Sequence, residues 1–467
     1  MDQLAGGVLV AGAGVSGLGT AKLLAQLGVP CAVADDDEGK LAEIEQLAGK
    51  GYIGGLPTAE AGARATEFPT VVTSPGWRPD SPLLSAASRA GCEVIGDVEL
   101  CYRLDRAGVF GPPRDWLVVT GTNGKTTTTG MLAAIMAEAG TYTGKRAVAC
   151  GNIGVAVADA LLDAQRIDVL VAELSSFQLH WSEQLTPNAG VLLNLAEDHI
   201  DWHGSFEAYG HDKAKVLRSS AAVAGIDDEN VRAIVGELGA HQVIGFTLGE
   251  PEAGDVGIVE GRIVSRIGST PVDVTGTDGI QPAGTAGTLD ALAATAVAIT
   301  QGAQPEHIDA ALHGYEVSGH RGAVVHSAHG VDWVDNSKAT NPHAAHSALQ
   351  GVEGKIVWVA GGQLKGAEVD DLVADHAHQF RAVALLGVDR GVIAGAVDKH
   401  APGVPVFSTA STDPVEAMQQ VVSYASSMAK PGDAVILAPA AASLDMYSGM
   451  AERGNLFAET ARALNGL

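Results

Sequence analysis

A chain of 467 residues is too long for one hydrophobic core, so two to four domains are expected. A hydrophobic content of 46% with 59 glycines suits a compact α/β protein and argues against disorder. The 29 basic and 55 acidic residues leave a net charge of −26, which argues against nucleic acid or an anionic membrane as a partner.

In chain order, Gly7–Ala11 reads as a strand, followed by Gly12-Ala-Gly14-Val15-Ser16-Gly17 and a helix to about Leu27. A second strand, Cys31–Ala34, ends in Asp35-Asp36-Asp37. This is a dinucleotide-type G-x-G-x-x-G with acidic residues after the next strand, a place for a nucleotide or a sugar-nucleotide diphosphate. Thr70–Thr73 is a strand running into Ser74-Pro75-Gly76, and Gly108–Asp115 reads as an interdomain linker. Cys31, Cys92, Cys101 and Cys150 show neither C-x-x-C nor zinc spacing. Met1-Asp2-Gln3 lacks a signal peptide's basic start, and a soluble, cytoplasmic protein is expected.

The stretch Trp116-Leu-Val-Val-Thr120 is a buried strand leading into Gly121-Thr122-Asn123-Gly124-Lys125-Thr126 and then a strong helix former. Glycines there let successive N–H groups and the helix start face one anion. The standard phosphate loop has another glycine five residues before Gly124, where this chain has Val119, so this is a shortened variant. Nucleoside triphosphate binding follows from strand, Gly-x-x-Gly-Lys-Thr and helix in that order.

Further on, Ile167–Ala172 is a strand ending at Glu173, where a Mg²⁺ ligand sits in such NTPases. Ala189–Leu195 is a strand before Glu197-Asp198-His199-Ile200-Asp201; His199 is either a structural histidine or a metal ligand. Lys213, taken alone, reads as a surface lysine on a helix. Residues 243–285 read as β-hairpins and Thr288–Ile299 as an apolar helix. A third unit follows a hinge at Ser318-Gly319, with strands at Asp332–Val334, Ile356–Ala360, Arg381–Leu386 and Ala434–Leu437. Most of these end in polar or basic loops, as in a doubly wound sheet.

TGTNGKTTT (120–128), GNIG (151–154), ELSSFQL (173–179), EDHID (197–201), HR (320–321), NSKATNP (336–342), GGQLKG (361–366) and ASLD (442–445) occur in that order. Together they resemble the Mur ligases, and SKATN resembles the branch of that family that adds D-glutamate. The resemblance implies an α/β fold of three domains. These are a Rossmann-like domain (1–112), a central P-loop ATPase-type domain (113–318) and a C-terminal Rossmann-like domain (319–467). It implies a monomer that uses ATP to activate the carboxylate of UDP-N-acetylmuramoyl-L-alanine as an acyl phosphate, which D-glutamate then attacks.

By that resemblance Gly121, Thr122, Asn123, Gly124, Lys125, Thr126 and Thr127 hold the phosphates, and Asp290, Arg321, Asn336 and Lys338 reach the rest of ATP. Two Mg²⁺ ions fall to Thr126, Glu173, His199 and Lys213, the last as a carbamate made with CO₂. The catalytic set is Lys125, Glu173, His199 and Lys213. Gly14, Val15, Ser16, Gly17, Asp35, Asp36, Ser74, Pro75 and Gly76 hold the UDP substrate, with Asn152, Ser175 and His199 nearer its reacting end. Lys338, Thr340, Lys365, Ser443 and Leu444 hold D-glutamate. The chain departs from the family pattern at Ala286-Gly287, where a His-Asn pair is usual, at Asn336 for aspartate, and at Met450 for an aromatic.

Overall fold

Short runs of apolar and β-branched residues, each closed by a glycine or an acidic residue, set the strands, and the helical stretches between them force parallel crossovers. The structure, a computed structural model, describes residues 4, 6–47, 51–239, 243–316, 319–350, 352 and 354–465. Met1-Asp2-Gln3 and the Ser318 half of the expected hinge lie outside the described residues.

The first sheet contains β1 (Val8–Ala11), β2 (Cys31–Ala34), β3 (Tyr52–Leu56), β4 (Thr70–Thr73) and β5 (Glu93–Gly96), in the order β3-β2-β1-β4-β5. All of its pairings are parallel. The second contains β6 (Asp115–Thr120), β7 (Ala147–Gly151), β8 (Val169–Glu173), β9 (Ala189–Leu192), β10 (Ala221–Gly225), β11 (Val243–Phe246), β12 (Val256–Val259), β13 (Arg262–Ser265) and β14 (Val272–Gly276). Its order is β14-β13-β12-β11-β10-β9-β6-β8-β7. Of the region read as hairpins, only β12-β13-β14 is antiparallel, while β11 joins β10 in parallel as part of the main sheet.

The third sheet contains β15 (Ala323–Ala328), β16 (Val331–Asp335), β17 (Ile356–Gly361), β18 (Phe380–Leu386), β19 (Val406–Ser408) and β20 (Ala434–Leu437), in the order β15-β16-β20-β17-β18-β19. Its two edge strands, β15 and β19, are half exposed and were not evident in the sequence, because an edge strand lacks the continuous apolar run of a central one. No helix among the described residues is long and apolar enough to cross a membrane.

The chain divides into two compact units, Met1–Thr277 with Asp290–Leu312, and Asp278–Leu289 with His313–Leu467. The first two sheets fall within one unit because a single apolar core, from Val8 and Val33 to Trp116, Leu170 and Leu192, runs through both. The connecting segment read as a linker is not a loose tether. Arg114 is 3% exposed and donates to Asp105 Oδ1 at 2.7 Å, and Trp116 Nε1 donates to Asp105 Oδ2 at 3.0 Å. Arg114 also donates to Ile167 O at 2.9 Å, so one buried ion pair joins the last helix of the first sheet to the first strand of the second. Asp105→Ala leaves Arg114 buried without its counter-charge, which costs about 3–5 kcal/mol. A urea titration should show that loss; a midpoint equal to the wild type's would mean the pair carries no load.

Candidate functional site

The first glycine loop leaves β1 and opens the Val15–Gln26 helix. A Cβ on Gly17 would run into Gly12 O, so glycine is required where helix and strand meet. Ala13 N donates to Asp35 Oδ2 at 2.7 Å, which pins the end of β2 to the loop. Burial alone would raise the Asp35 pKa, but bonds from the Ala13 and Asp37 amides outweigh it and the carboxyl lies below its ordinary value. A cavity of about 460 Å³ opens here, and Gly14, Val15, Ser16, Asp35, Ser74 and Gly76 line it as expected. Ser74 Oγ is buried with no partner among the described residues, a donor left for a ligand. Trp77 also lines the cavity and was missed, since a lone aromatic after a turn carries no periodic signal. Three expected residues sit elsewhere. Gly17 is packed beneath the loop, Pro75 is in the adjoining turn, and Asp36 accepts from Thr58 N at 2.9 Å.

The second loop, Gly121–Gly124, joins β6 to the Lys125–Thr143 helix. Gly124 has φ 80°, and a Cβ there would meet Asp290 Oδ1. Lys125 Nζ folds back to donate to Gly121 O at 2.9 Å and Thr122 O at 2.7 Å, as a lysine lying over a phosphate loop does. The other expected phosphate ligands divide between lining and support. Thr122 Oγ1 lies 2.9 Å from Tyr209 Oη and accepts from Ala196 N, while Thr127 is buried in the first helical turn. Asn194, not singled out in the sequence, accepts from Asn123 N at 2.8 Å and holds the loop from β9. Asp290 accepts from Thr128 Oγ1 at 3.0 Å and abuts Gly124, so its carboxylate braces the loop.

Glu173 ends β8, the neighbour of β6, and is 1% exposed. Its Oε1 accepts from Asn152 Nδ2 at 2.8 Å, and its Oε2 is buried with no donor among the described residues. A buried carboxylate oxygen without a donor is costly, and a cation removes that cost. That oxygen is thus available to a hard divalent ion such as Mg²⁺. Ser175 serves the backbone: its Oγ accepts from Gln178 N at 3.2 Å and Gln178 Oε1 accepts from Ser175 N at 2.9 Å, a capping box on the Ser176–His180 helix. His199 sits at φ 55°, N-capping the Ile200–His203 helix, with its ring against Phe177 at 4.7 Å. Arg78 Nη1 donates to Asp201 O at 2.7 Å, tying the Ser74–Trp77 turn to the His199 segment.

Lys213 corrects the reading of a surface lysine. It is 2% exposed, and its Nζ donates to Gly121 O at 2.7 Å from the Phe206–Ala214 helix. The same carbonyl accepts from Lys125, so two lysines converge on one carbonyl of the phosphate loop. Burial first, then the Lys125 charge, drives the Lys213 pKa well below its ordinary value. The neutral amine this favours is the form that adds CO₂ to give a carbamate.

The remaining candidates belong to the second compact unit. Lys338 and Thr340 are half-buried in the loop after β16, Lys365 is exposed at φ 55° after β17, and after β20 Ser443 is 3% exposed and Leu444 67%. Arg453, on the Met450–Asn465 helix and fully buried, gathers these loops. It donates to Ser337 Oγ at 3.0 Å, Ser337 O at 2.8 Å, Gly361 O at 3.2 Å and Ala441 O at 3.1 Å. Arg321 and Asn336 adjoin the same framework, but the anchoring carboxylate is their neighbour Asp335. It is 1% exposed, lies 2.6 Å from His320 Nδ1 and accepts from Ser337 N at 2.9 Å. Neither Arg453 nor Asp335 was legible as a site residue, because each faces inward and touches groups far away in sequence.

Family models for the Mur ligase middle domain and for the Mur ligase glutamate ligase domain match residues 119–273 and 320–441. A Corynebacterium diphtheriae UDP-N-acetylmuramoylalanine–D-glutamate ligase is 55% identical over 98% of this chain and 96% of its own. The Mycolicibacterium smegmatis protein of the same name is 44% identical over 98% and 97%. Among solved structures, the fold is shared with UDP-N-acetylmuramate-alanine ligase MurC of Thermotoga maritima, with a TM-score of 0.58, 16% identity, and coverage of 98% of this chain and 99% of that one. A pseudomurein peptide ligase type C of Methanothermus fervidus superposes with a TM-score of 0.59 at 15% identity, over 97% and 99%. Identity at the level of the bacterial relatives, sustained over nearly the whole of both chains and joined by both family models, is a family relationship: this chain belongs to the Mur ligases.

Proposed function

We propose that the protein uses ATP to join D-glutamate to UDP-N-acetylmuramoyl-L-alanine, a cytoplasmic step toward peptidoglycan, cell-wall growth and division, and that it does so as a monomer. The observation that carries this reading is the pairing of two glycine loops within one compact unit. One is closed by Lys125 beside a buried carboxylate, and the other faces a separate cavity of about 460 Å³. A triphosphate suits the first and a sugar-nucleotide diphosphate the second. The names of the relatives at 55% and 44% identity supply the sugar nucleotide and D-glutamate.

The chemistry follows from charge. A carboxylate is a poor electrophile, and transfer of the γ-phosphoryl group makes it a good one, with ADP leaving. The amine of D-glutamate then attacks the acyl carbon, the tetrahedral intermediate loses phosphate, and an amide remains. Both partners in the first step are anions, so Lys125 and the Gly121–Thr126 amides offset their repulsion. Two Mg²⁺ ions, when bound, neutralise further phosphate charge, with Thr126, Glu173, His199 and the Lys213 carbamate as ligands. Asn152 orients Glu173, and Lys338, Thr340, Lys365, Ser443 and Leu444 hold the two carboxylates and stem of D-glutamate. Segments 1–112, 113–318 and 319–467 take the UDP substrate, ATP and the amino acid in turn, with Asp290, Arg321 and Asn336 completing the nucleotide site.

Phosphate release from ATP should require UDP-N-acetylmuramoyl-L-alanine and D-glutamate together. Equal release with L-glutamate, or with no amino acid, would remove the D-glutamate assignment while leaving ATP use intact.

A further inference from the structure

Beside the phosphate loop lies a side-chain cluster that the chemistry above does not use. His180 and His203 each donate an Nδ1–H to the same oxygen, Asp212 Oδ2, at 2.8 and 3.0 Å. His203 Nε2 turns the other way, 2.9 Å from Ser176 Oγ. Lys215 Nζ stands 3.4 Å from Asp212 Oδ1 and donates to Leu179 O at 3.1 Å and His180 O at 2.8 Å. The His203 side chain is fully buried, and those of Asp212 and Lys215 are nearly so.

We propose that Asp212 is a positioning residue: by tying together three short helices it fixes where Ser175, His199 and Lys213 sit and holds Lys213 against the phosphate loop. The three helices are Ser176–His180, Ile200–His203 and Phe206–Ala214, of 5, 4 and 9 residues. Helices below about 12 residues do not hold themselves in water, so tertiary ties must set where they sit. Each carries one candidate at or near its end: Ser175 caps the first, His199 caps the second, and Lys213 is the penultimate residue of the third. Asp212 is bonded to the first two and lies on the third.

The geometry of the third helix explains how Lys213 is held. Successive helical residues diverge by about 100°, so Asp212 and Lys213 point to different sides. With Asp212 held by the two histidines, the helix cannot rotate about its axis, and Lys213 Nζ stays on Gly121 O. Removing the side chain leaves both imidazole Nδ1–H groups without an acceptor, while Lys215 keeps its bonds to Leu179 O, His180 O and Glu183 Oε1, and the helix is no longer held against turning. Burial would raise the Asp212 pKa, but the His180 and His203 bonds and the Lys215 charge outweigh it and keep the carboxylate ionised.

The same three residues present ligand atoms within 4.8 Å of one another, a spacing open to a transition metal. Hydrogen bonding accounts for them better. Both Nδ1–H groups already meet an acceptor, and the Lys215 ammonium stands where a divalent ion would be repelled.

The proposal rests on the reading of Lys213 and Glu173 as metal-site residues, and its test separates the two. In the full chain, Asp212→Ala should lower kcat and raise the Mg²⁺ concentration for half-maximal phosphate release, each by about tenfold or more. The KM for UDP-N-acetylmuramoyl-L-alanine, set by the cavity at Gly12–Gly17, should move by less than about twofold, within ordinary surface-substitution scatter. Should Asp212→Ala not fold, the His180 pair decides. His180→Gln keeps an N–H donor and should stay near the wild type, whereas His180→Leu should show a smaller form of the same Mg²⁺ shift. An unchanged Mg²⁺ requirement in Asp212→Ala overturns the proposal, as does a loss of kcat with lowered melting temperature and no Mg²⁺ shift. In a calorimetric titration with Zn²⁺ alone, a site present in the wild type and lost in both His203→Ala and Asp212→Ala overturns it in favour of a metal centre. A wild-type enzyme with no Mg²⁺ requirement at all would instead sink the metal-site reading beneath it.

Discussion

Lys213→Ala should lose about 10²–10³-fold in phosphate release, the usual loss on removing one group organised around transferring charge. The reason is electrostatic. An ammonium beside Lys125 would repel both that lysine and the cations that accompany a triphosphate. Burial and Lys125 hold the Lys213 amine well below its ordinary pKa, so the neutral form that reacts with CO₂ is populated. A carbamate turns that stem into a carboxylate able to reach a metal. The substitution also removes the bond to Gly121 O, so the wild-type enzyme provides the sharper measurement. Its activity should fall in CO₂-free buffer and return with bicarbonate, and ¹³C-bicarbonate should give a carbamate resonance that Lys213→Ala lacks. A fully active Lys213→Ala protein, or indifference of the wild type to CO₂, would end the carbamate assignment.

Glu173→Gln separates stability from activity at one residue. The buried Oε2 has no donor among the described residues, so the free protein carries an uncompensated half of a carboxylate. Replacing it with an amide keeps the acceptor that Asn152 uses at 2.8 Å and removes the buried charge. The substituted protein without ligands should therefore be as stable as the wild type, or more so by about 1–2 kcal/mol. Its phosphate release should nonetheless fall by about 10²-fold or more. Thermal melts with Mg²⁺ and ATP supply the second readout. Ligand at about a hundred times its Kd stabilises the wild type by about 2.7 kcal/mol, and most of the Mg²⁺-dependent part should vanish in Glu173→Gln. A large drop in ligand-free stability would show that Oε2 is satisfied within the protein, and an active Glu173→Gln enzyme would remove Glu173 from the metal site.

These two residues mark the division between what local chemistry specifies and what packing specifies. The strands Cys31–Ala34, Thr70–Thr73 and Ala434–Leu437 have the same limits in the sequence reading and the structure, because each is an apolar run with a polar or turn-forming boundary. The two glycine loops are equally local: Gly17 and Gly124 are needed where a Cβ would strike Gly12 O or Asp290. A carboxylate at the end of β8 follows from the same reasoning, and so does its neighbour, the phosphate loop after β6.

Burial and partnership at distance are another matter, because they depend on contacts between residues far apart in the chain. Lys213 looks like any helical surface lysine until the fold brings Gly121 O, 92 positions away, to 2.7 Å. The Gly108–Asp115 segment has the composition of a tether, yet Arg114 and Asp105 bury an ion pair that locks it. Sequence draws the eye to Asn336, whereas Asp335 does the anchoring, since a strand's last inward side chain is chosen by what packs behind it. Arg453 reaches Ser337 across 116 positions, and Asp212 reaches His180 across 32. Glycine, proline and apolar periodicity act within a few residues and are readable in one chain. The desolvation of a charge and the partner that compensates it exist only once distant elements have met.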